Sequence, residues 1–179
     1  EEESFSYDSI ILNKTFLKVI KSTDLIILSD YNKGVLSNAA KIIKIAKSYK
    51  KIIIVDPKSD SFDKYKGATV LTPNLQEFER VVGFCKDDLE ITRKAKKLIK
   101  NLNFNCIIIT KGSDGLSVIP KFGRSLHLKS KTKDVFDVTG AGDTLIATLG
   151  LTMANGIEIF EAAKIANYAA GIVVGKIGT

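Results

Sequence analysis

The residues best suited to chemistry are Asp137-Val138-Thr139-Gly140-Ala141-Gly142-Asp143, two acids around a turn with almost no side chains, running straight into the apolar stretch Thr144 to Leu151. Glycines on either side of Ala141 let successive backbone N–H groups point into one concave spot, and the helix that should follow adds the positive end of its dipole there. An anion fits such a spot. A carboxylate at Asp143, fixed on its rim, is a poor ligand for a resting phosphate, yet it is well placed to take the proton of a hydroxyl that attacks that phosphate. The pattern points to phosphoryl transfer, with Asp143 as the base and Gly140, Ala141 and Gly142 holding the migrating charge. The plainer alternative is an ordinary helix start, for which glycine and aspartate are common choices. Other phosphate-binding patterns fit less well. Leu145 stands where a dinucleotide-binding turn would need its third glycine, Lys131 to Asp137 is too polar to be the strand leading into one, and no Gly-Lys-Ser/Thr occurs.

Such a turn needs a rigid frame, and the chain supplies one. Asp24 to Ser29 is an apolar run, followed by a turn at Asn32-Lys33-Gly34, a helix capped by Ser37 and reaching about Lys50, and a second apolar run, Ile52 to Val55. This is β-α-β. Thr69 to Thr72 with a helix from Leu75 to Val82, then a helix capped by Asp88 through Leu102 before the strand Cys106 to Thr110, continue the pattern. The fold class is α/β, a largely parallel sheet covered by helices on both faces. Leu116 to Ile119 and Ser125 to Lys129, separated by Lys121-Phe122-Gly123, predict an antiparallel hairpin at the sheet edge, and two helices close the chain, one after Asp143 and one from Ile157. Polar residues stand just past the strand ends: Asp30, Asp56, Asn74, and Thr110 with Lys111. Open α/β sheets bind ligands at that edge. Asp30, Lys33 and Lys58 are candidates for contacts to the phosphates of a sugar or a nucleotide, against the plain alternative of solvated loop residues. Tyr31 is placed either to stack on a sugar or to pack, and His127 is left out of the chemistry.

With 179 residues, 45% of them hydrophobic, the chain can bury one ordinary core. The acidic start Glu1-Glu2-Glu3 does not read as a signal peptide, and the apolar runs are too short to cross a bilayer, so a soluble, cytoplasmic protein is expected. Cys85 and Cys106 are the only cysteines, which gives no support to a disulfide framework or a zinc site. The net charge of +7 comes from lysines at helical spacing, such as Lys41, Lys44 and Lys47, without interleaved aromatics. Such a field suits anionic small molecules as well as nucleic acid, and charge alone does not separate them; the lack of interleaved aromatics or a known binding motif counts against nucleic acid.

Taken with Thr72-Pro73-Asn74-Leu75-Gln76-Glu77 and Thr110-Lys111-Gly112-Ser113-Asp114-Gly115, the segment Asp137 to Asp143 resembles the ribokinase-like (PfkB) carbohydrate kinases in order and spacing. Ser29-Asp30-Tyr31-Asn32-Lys33-Gly34, Val55-Asp56-Pro57-Lys58 and the ending Ala169 to Thr179 are similar to the members of that family that act on D-glycero-β-D-manno-heptose 7-phosphate. The resemblance implies that Asp143 deprotonates the anomeric hydroxyl, which attacks the γ-phosphate of ATP to give the 1,7-bisphosphate, a step toward ADP-heptose and lipopolysaccharide core. It implies that Asn74, Leu75, Gln76 and Glu77 border the nucleotide, with Glu77 ordering Mg²⁺. A capping box, Asn74 as cap and Glu77 folding back on it, explains that pair equally well. Thr110 and Gly112 would contact the nucleotide phosphates, and Asn167 would lie near the adenine or make a helix–helix contact. Asp137 and Thr139 would offer carbonyls to a monovalent cation, K⁺ in many relatives. The resemblance further implies a C-terminal portion of one kinase domain, whose opening strands and lid over the sugar would precede residue 1 and without which this piece would be inactive. It leaves room for a homodimer and for a nucleotidyltransferase domain fused outside these residues. Two alternatives stay open: another sugar or nucleoside kinase of the same family, and a non-catalytic nucleotide-binding module.

Overall fold

The computed structural model describes residues 9–130 and 140–175, with side chains from residue 14 onward. Its sheet has six strands in sequential order: β1 Leu25–Ser29, β2 Ile52–Asp56, β3 Val70–Leu71, β4 Cys106–Thr110, β5 Leu116–Pro120 and β6 Leu126–Leu128. β1 to β4 are parallel, and β5 and β6 turn back antiparallel as the expected edge hairpin. The helices are α1 Ser9–Val19, α2 Ala39–Ser48, α3 Leu75–Val82, α4 Asp88–Leu102, α5 Ala141–Ala154 and α6 Ile159–Val174.

Side chains on a strand alternate between faces, and here each face has its own core. Ile53, Val55, Leu71, Ile107 and Ile109 pack with Ile42, Ile43 and Ala46 of α2, Phe78 of α3, and Ile91, Ala95 and Ile99 of α4. Ile54, Val70, Cys106 and Ile108 face the other way, onto Leu145, Ile146 and Leu149 of α5 and Ala162, Ala163 and Ala166 of α6. The sheet is therefore apolar on both sides, as continuous runs such as Ile-Ile-Ile-Val require. α5 lies close over β1 because Gly150 has no side chain. A Cβ there would sit 3.1 Å from Ile27 Cδ1 and 3.3 Å from Leu25 Cδ2.

Two predicted caps shift by a residue or more. Asn38, not Ser37, occupies the cap position of α2, and it makes no side-chain cap bond; the Ser37 N–H instead closes a turn on the Gly34 carbonyl. α4 is capped by Asp87, whose side chain accepts from the Glu90 N–H, so Asp88 becomes the first helical residue and pairs with Lys111 at 2.7 Å. Among the described residues no helix is long and apolar enough to cross a membrane.

Candidate active site

The strand ends converge on one cavity of about 220 Å³, lined by Tyr31, Asp56, Lys58, Thr72, Asn74, Glu77, Thr110, Gly142, Asp143, Leu145 and Ile146. Strand parity explains the membership. Asp56 shares the face of Ile54 and Thr110 that of Ile108, the face on which α5 lies, so both look toward the first turn of that helix. An isolated parallel bridge between Asn74 and Thr110 continues the β3–β4 register three residues past Leu71 and Ile107 and sets those residues side by side, with the Thr110 N–H donating to the Pro73 carbonyl at 3.1 Å.

From the opposite rim comes α5. Gly140 holds the cap position at φ 75°, a left-handed conformation that glycine adopts without strain, and its carbonyl accepts the Thr144 N–H. It offers no capping side chain, so the amides of the first turn keep the open donor character of any helix start. A Cβ built on Gly142 meets no atom within 4 Å among the described residues beyond its own helix backbone and chain neighbours, so the backbone there is uncovered by them. Asp143, the third helical residue, is exposed to the cavity. A second cavity of about 660 Å³ continues past this turn and shares Asn74, Thr110, Gly142 and Leu145 with the first. Its remaining walls include Gly112, Ser113, Ala141, Asn167 and Ala170. A bare backbone turn joins an acid-lined chamber to a long, more apolar one.

The acids differ in their surroundings. Burial, opposed by Lys58 and reinforced by the charges of Glu77, Asp143 and Asp30, pushes the Asp56 carboxyl from 3.8 up to about 6. Glu77 is 2% exposed and fully engaged: Oε2 accepts the Asn74 N–H at 2.8 Å while Asn74 Oδ1 accepts the Glu77 N–H at 2.8 Å, and Oε1 receives Lys58 Nζ at 3.1 Å. The capping box expected of this pair is thus formed. The hydrogen bond from Lys58 to Glu77, more than any other influence, raises the Lys58 ammonium above its usual range.

The hard oxygen set of Asp56, Glu77 and Asp143 suits Mg²⁺. No three His, Cys, Asp or Glu among the described residues converge as a ready-made metal shell, so these carboxylates would hold the ion through water and alongside phosphate oxygens, the usual habit of Mg²⁺.

Of the residues singled out from the sequence, Asn74, Glu77, Lys58, Thr110, Gly142 and Asp143 come together in the first cavity, and Gly112, Ala141 and Asn167 line the second. Asn167 makes no helix–helix contact of the expected kind; its amide donates to the Lys129 carbonyl at 3.1 Å. Asp30 is a correction. It shares the parity of Leu28, so it points to the face of α2, where it is 3% exposed and accepts from Tyr65 Oη at 2.6 Å, Lys64 Nζ at 2.7 Å and the Asn32 N–H at 2.7 Å. Burial alone would raise its carboxyl, but these donors together hold it below the ordinary value. Lys33 is exposed and lines neither cavity, Gln76 faces solvent, and Leu75 packs on the α3 core. Asp137 and Thr139 lie outside the described residues. A further cavity of about 670 Å³ is lined among others by Leu75, Lys111, Asp88 and His127; Lys111 pairs with Asp88 at 2.7 Å, and His127 Nδ1 lies 3.5 Å from the same carboxylate. Asp56 and Thr72 belong to the site and were not singled out as site residues. Counting parity along Ile52 to Asp56 was the available signal.

Residues 4–179 match the family model described as pfkB family carbohydrate kinase. The chain belongs to the PfkB carbohydrate kinases. Its curated relatives in the family include the bifunctional protein HldE of Psychromonas ingrahamii, 44% identical over 94% of this chain and 36% of the relative, and that of Photorhabdus laumondii, 48% identical over 86% of this chain and 32% of the relative. The HldE protein of Methylococcus capsulatus is 44% identical over 99% of this chain. This PfkB chain spans 38% of that relative's length, and about a third of each of the other two. Among solved structures, Arabidopsis thaliana ribokinase complexed with ribose and ATP superimposes with a TM-score of 0.81 at 21% identity, over 98% of this chain and 55% of that one. Escherichia coli phosphofructokinase-2 in complex with potassium gives 0.80 at 15% identity, over 95% of this chain and 56% of that one. These structures establish the ribokinase-like fold.

Proposed function

We propose that the full-length protein is an ATP-dependent sugar kinase that phosphorylates the anomeric hydroxyl of D-glycero-β-D-manno-heptose 7-phosphate. The observation that carries this reading is the meeting of Asp143 with the bare backbone of Gly142 in a chamber also walled by Asn74, Glu77 and Thr110. The acceptor oxygen attacks the γ-phosphorus of ATP, the bond to the bridging oxygen breaks, ADP leaves, and the hydroxyl proton passes to an Asp143 carboxylate oxygen. Amides of the first turn of α5 stabilise the charge on the moving phosphoryl group; each such donor is worth about 3 kcal/mol by comparison with oxyanion holes. Mg²⁺, when bound, would neutralise charge on the β- and γ-phosphoryl oxygens. Asn74 and Glu77 orient that end of the nucleotide, while Thr110, Gly112 and Asn167 follow it into the longer cavity. A monovalent cation near Asp137 and Thr139, a cytoplasmic setting and a fused nucleotidyltransferase domain belong to the same proposal, supported by the family and by relatives named bifunctional.

The test is ATP-dependent phosphorylation by the full-length protein across heptose 7-phosphate, ribose and fructose 6-phosphate, with ³¹P NMR locating the new phosphate. Anomeric phosphorylation of the heptose alone is expected. Equal turnover of ribose or fructose 6-phosphate would defeat the heptose assignment, and no turnover of any sugar would favour a nucleotide-binding module.

A further inference from the structure

Lys58 is the one cation among the described residues lining the acid chamber, set against Asp56, Glu77 and Asp143. Its Nζ lies 3.1 Å from Glu77 Oε1, and the two side chains differ sharply in exposure, 43% for Lys58 and 3% for Glu77. A carboxylate buried that deeply needs a counter-charge, whereas the lysine, on a flexible stem at a loop after β2, can reach elsewhere with little loss. The other oxygen of Glu77 is tied to the α3 cap, so only the oxygen facing Lys58 is open to exchange.

We propose that Lys58 is an internal stand-in for the divalent cation: it neutralises Glu77 until a metal–nucleotide pair arrives, then yields that carboxylate to the metal and moves its ammonium onto the phosphates. This rests on the reading of the chamber as a kinase nucleotide site. The exchange makes metal and nucleotide cooperative. A divalent ion by itself must expel Lys58 without offering it a new partner and therefore binds weakly. The same ion carrying a triphosphate supplies that partner, so the displaced charge is satisfied again. In thermodynamic terms the nucleotide raises metal affinity, and reciprocally the metal raises nucleotide affinity, through one side chain.

The measurement is Mn²⁺ binding by electron paramagnetic resonance to the full-length protein, with Mn²⁺ alone and with Mn²⁺ plus a non-hydrolysable ATP analogue. Lys58→Met should tighten binding of Mn²⁺ alone by about tenfold, since Glu77 loses its competitor, and weaken the Mn²⁺–nucleotide complex by about tenfold, since the phosphates lose a partner. Lys58→Gln should follow it, and Lys58→Arg should stay near the wild type for Mn²⁺ alone. Lys44→Met, on the exposed face of α2, controls for net charge and should change neither affinity. Circular dichroism confirms that the variants are folded. Weaker binding of both species, or unchanged affinity for Mn²⁺ alone, overturns the stand-in. A wild-type protein that binds no Mn²⁺–nucleotide at all overturns the kinase reading itself, a result separate from any behaviour of the variants.

Discussion

Asp56→Asn should make the protein more stable at neutral pH and leave it unchanged in acid. In the folded protein the Asp56 carboxyl is raised from 3.8 to about 6, first by burial and then by the neighbouring acids Glu77, Asp143 and Asp30, against the opposing pull of Lys58. Because the folded value lies above the unfolded one, the folded protein binds this proton more tightly between about pH 4 and pH 6, and stability falls as pH rises through that window. Above it, ionised Asp56 opposes folding. A difference of about two pH units corresponds to about 3 kcal/mol, and partial solvent screening of a half-buried group brings this to about 1–2 kcal/mol. An asparagine of the same shape removes the penalty. For a domain of this size the variant should melt about 2–8 °C higher at pH 7.5, and within about 1 °C of the wild type at about pH 3.5, below the unfolded carboxyl value. Thermal melts across pH, with ¹³C NMR of the Asp56 carboxyl assigned by difference, give both quantities. A carboxyl midpoint near 4, or a stabilisation that is the same at both pH values, refutes the reasoning.

Asp143→Asn should retain ATP affinity, measured by calorimetry, while kcat falls by about 10²–10⁴, the usual contribution of a positioned base; comparable turnover would remove Asp143 from the role. Gly142→Ala adds a methyl that meets no other described residue within 4 Å beyond its own helix, so folding stability should hold or rise by up to about 1 kcal/mol while turnover drops, because the methyl occupies space next to the proposed transferred group. Glu77→Gln keeps a reciprocal cap on Asn74 and should preserve α3 by circular dichroism while raising the Mg²⁺ concentration needed for half-maximal activity; Glu77→Ala, which strands the Asn74 N–H, should lower stability by about 1–3 kcal/mol in denaturant unfolding.

Most helices and strands from β1 onward were legible from the sequence because their periodicities are clean, whereas α1, Ser9–Val19, was not read. β4, α3 and the edge hairpin stand where the runs Cys106 to Thr110, Leu75 to Val82 and Leu116 onward placed them. Caps were less legible, since Asp87 and Asp88 are chemically alike and only backbone geometry chooses between them. In the site, residues on the turn at α5 or at the ends of β3 and β4 were readable from type and spacing. Asp30 was chosen as a candidate and Asp56 was not, although both follow an apolar run by one position and differ only in which face they take once α5 is known to cover the Ile54 side. The Lys58–Glu77 pair spans 19 positions and two loops, a contact that no local pattern encodes. Tyr65 matters in the same way: it draws Asp30 inward from a one-turn helix at Asp63–Tyr65 that carries no periodic signal.

Asp143 and the Asn74–Glu77 pair ride on opposite layers of the sheet, α5 in one core and α3 in the other. Neither layer alone assembles the chamber proposed to hold nucleotide. An intermediate with α2 to α4 condensed but α5 and α6 still loose would present half the walls and have no affinity to speak of. Ligand binding therefore reports on completion of the whole sandwich, and saturating nucleotide should protect amides in both layers from hydrogen exchange together, although it touches only the rim where they meet.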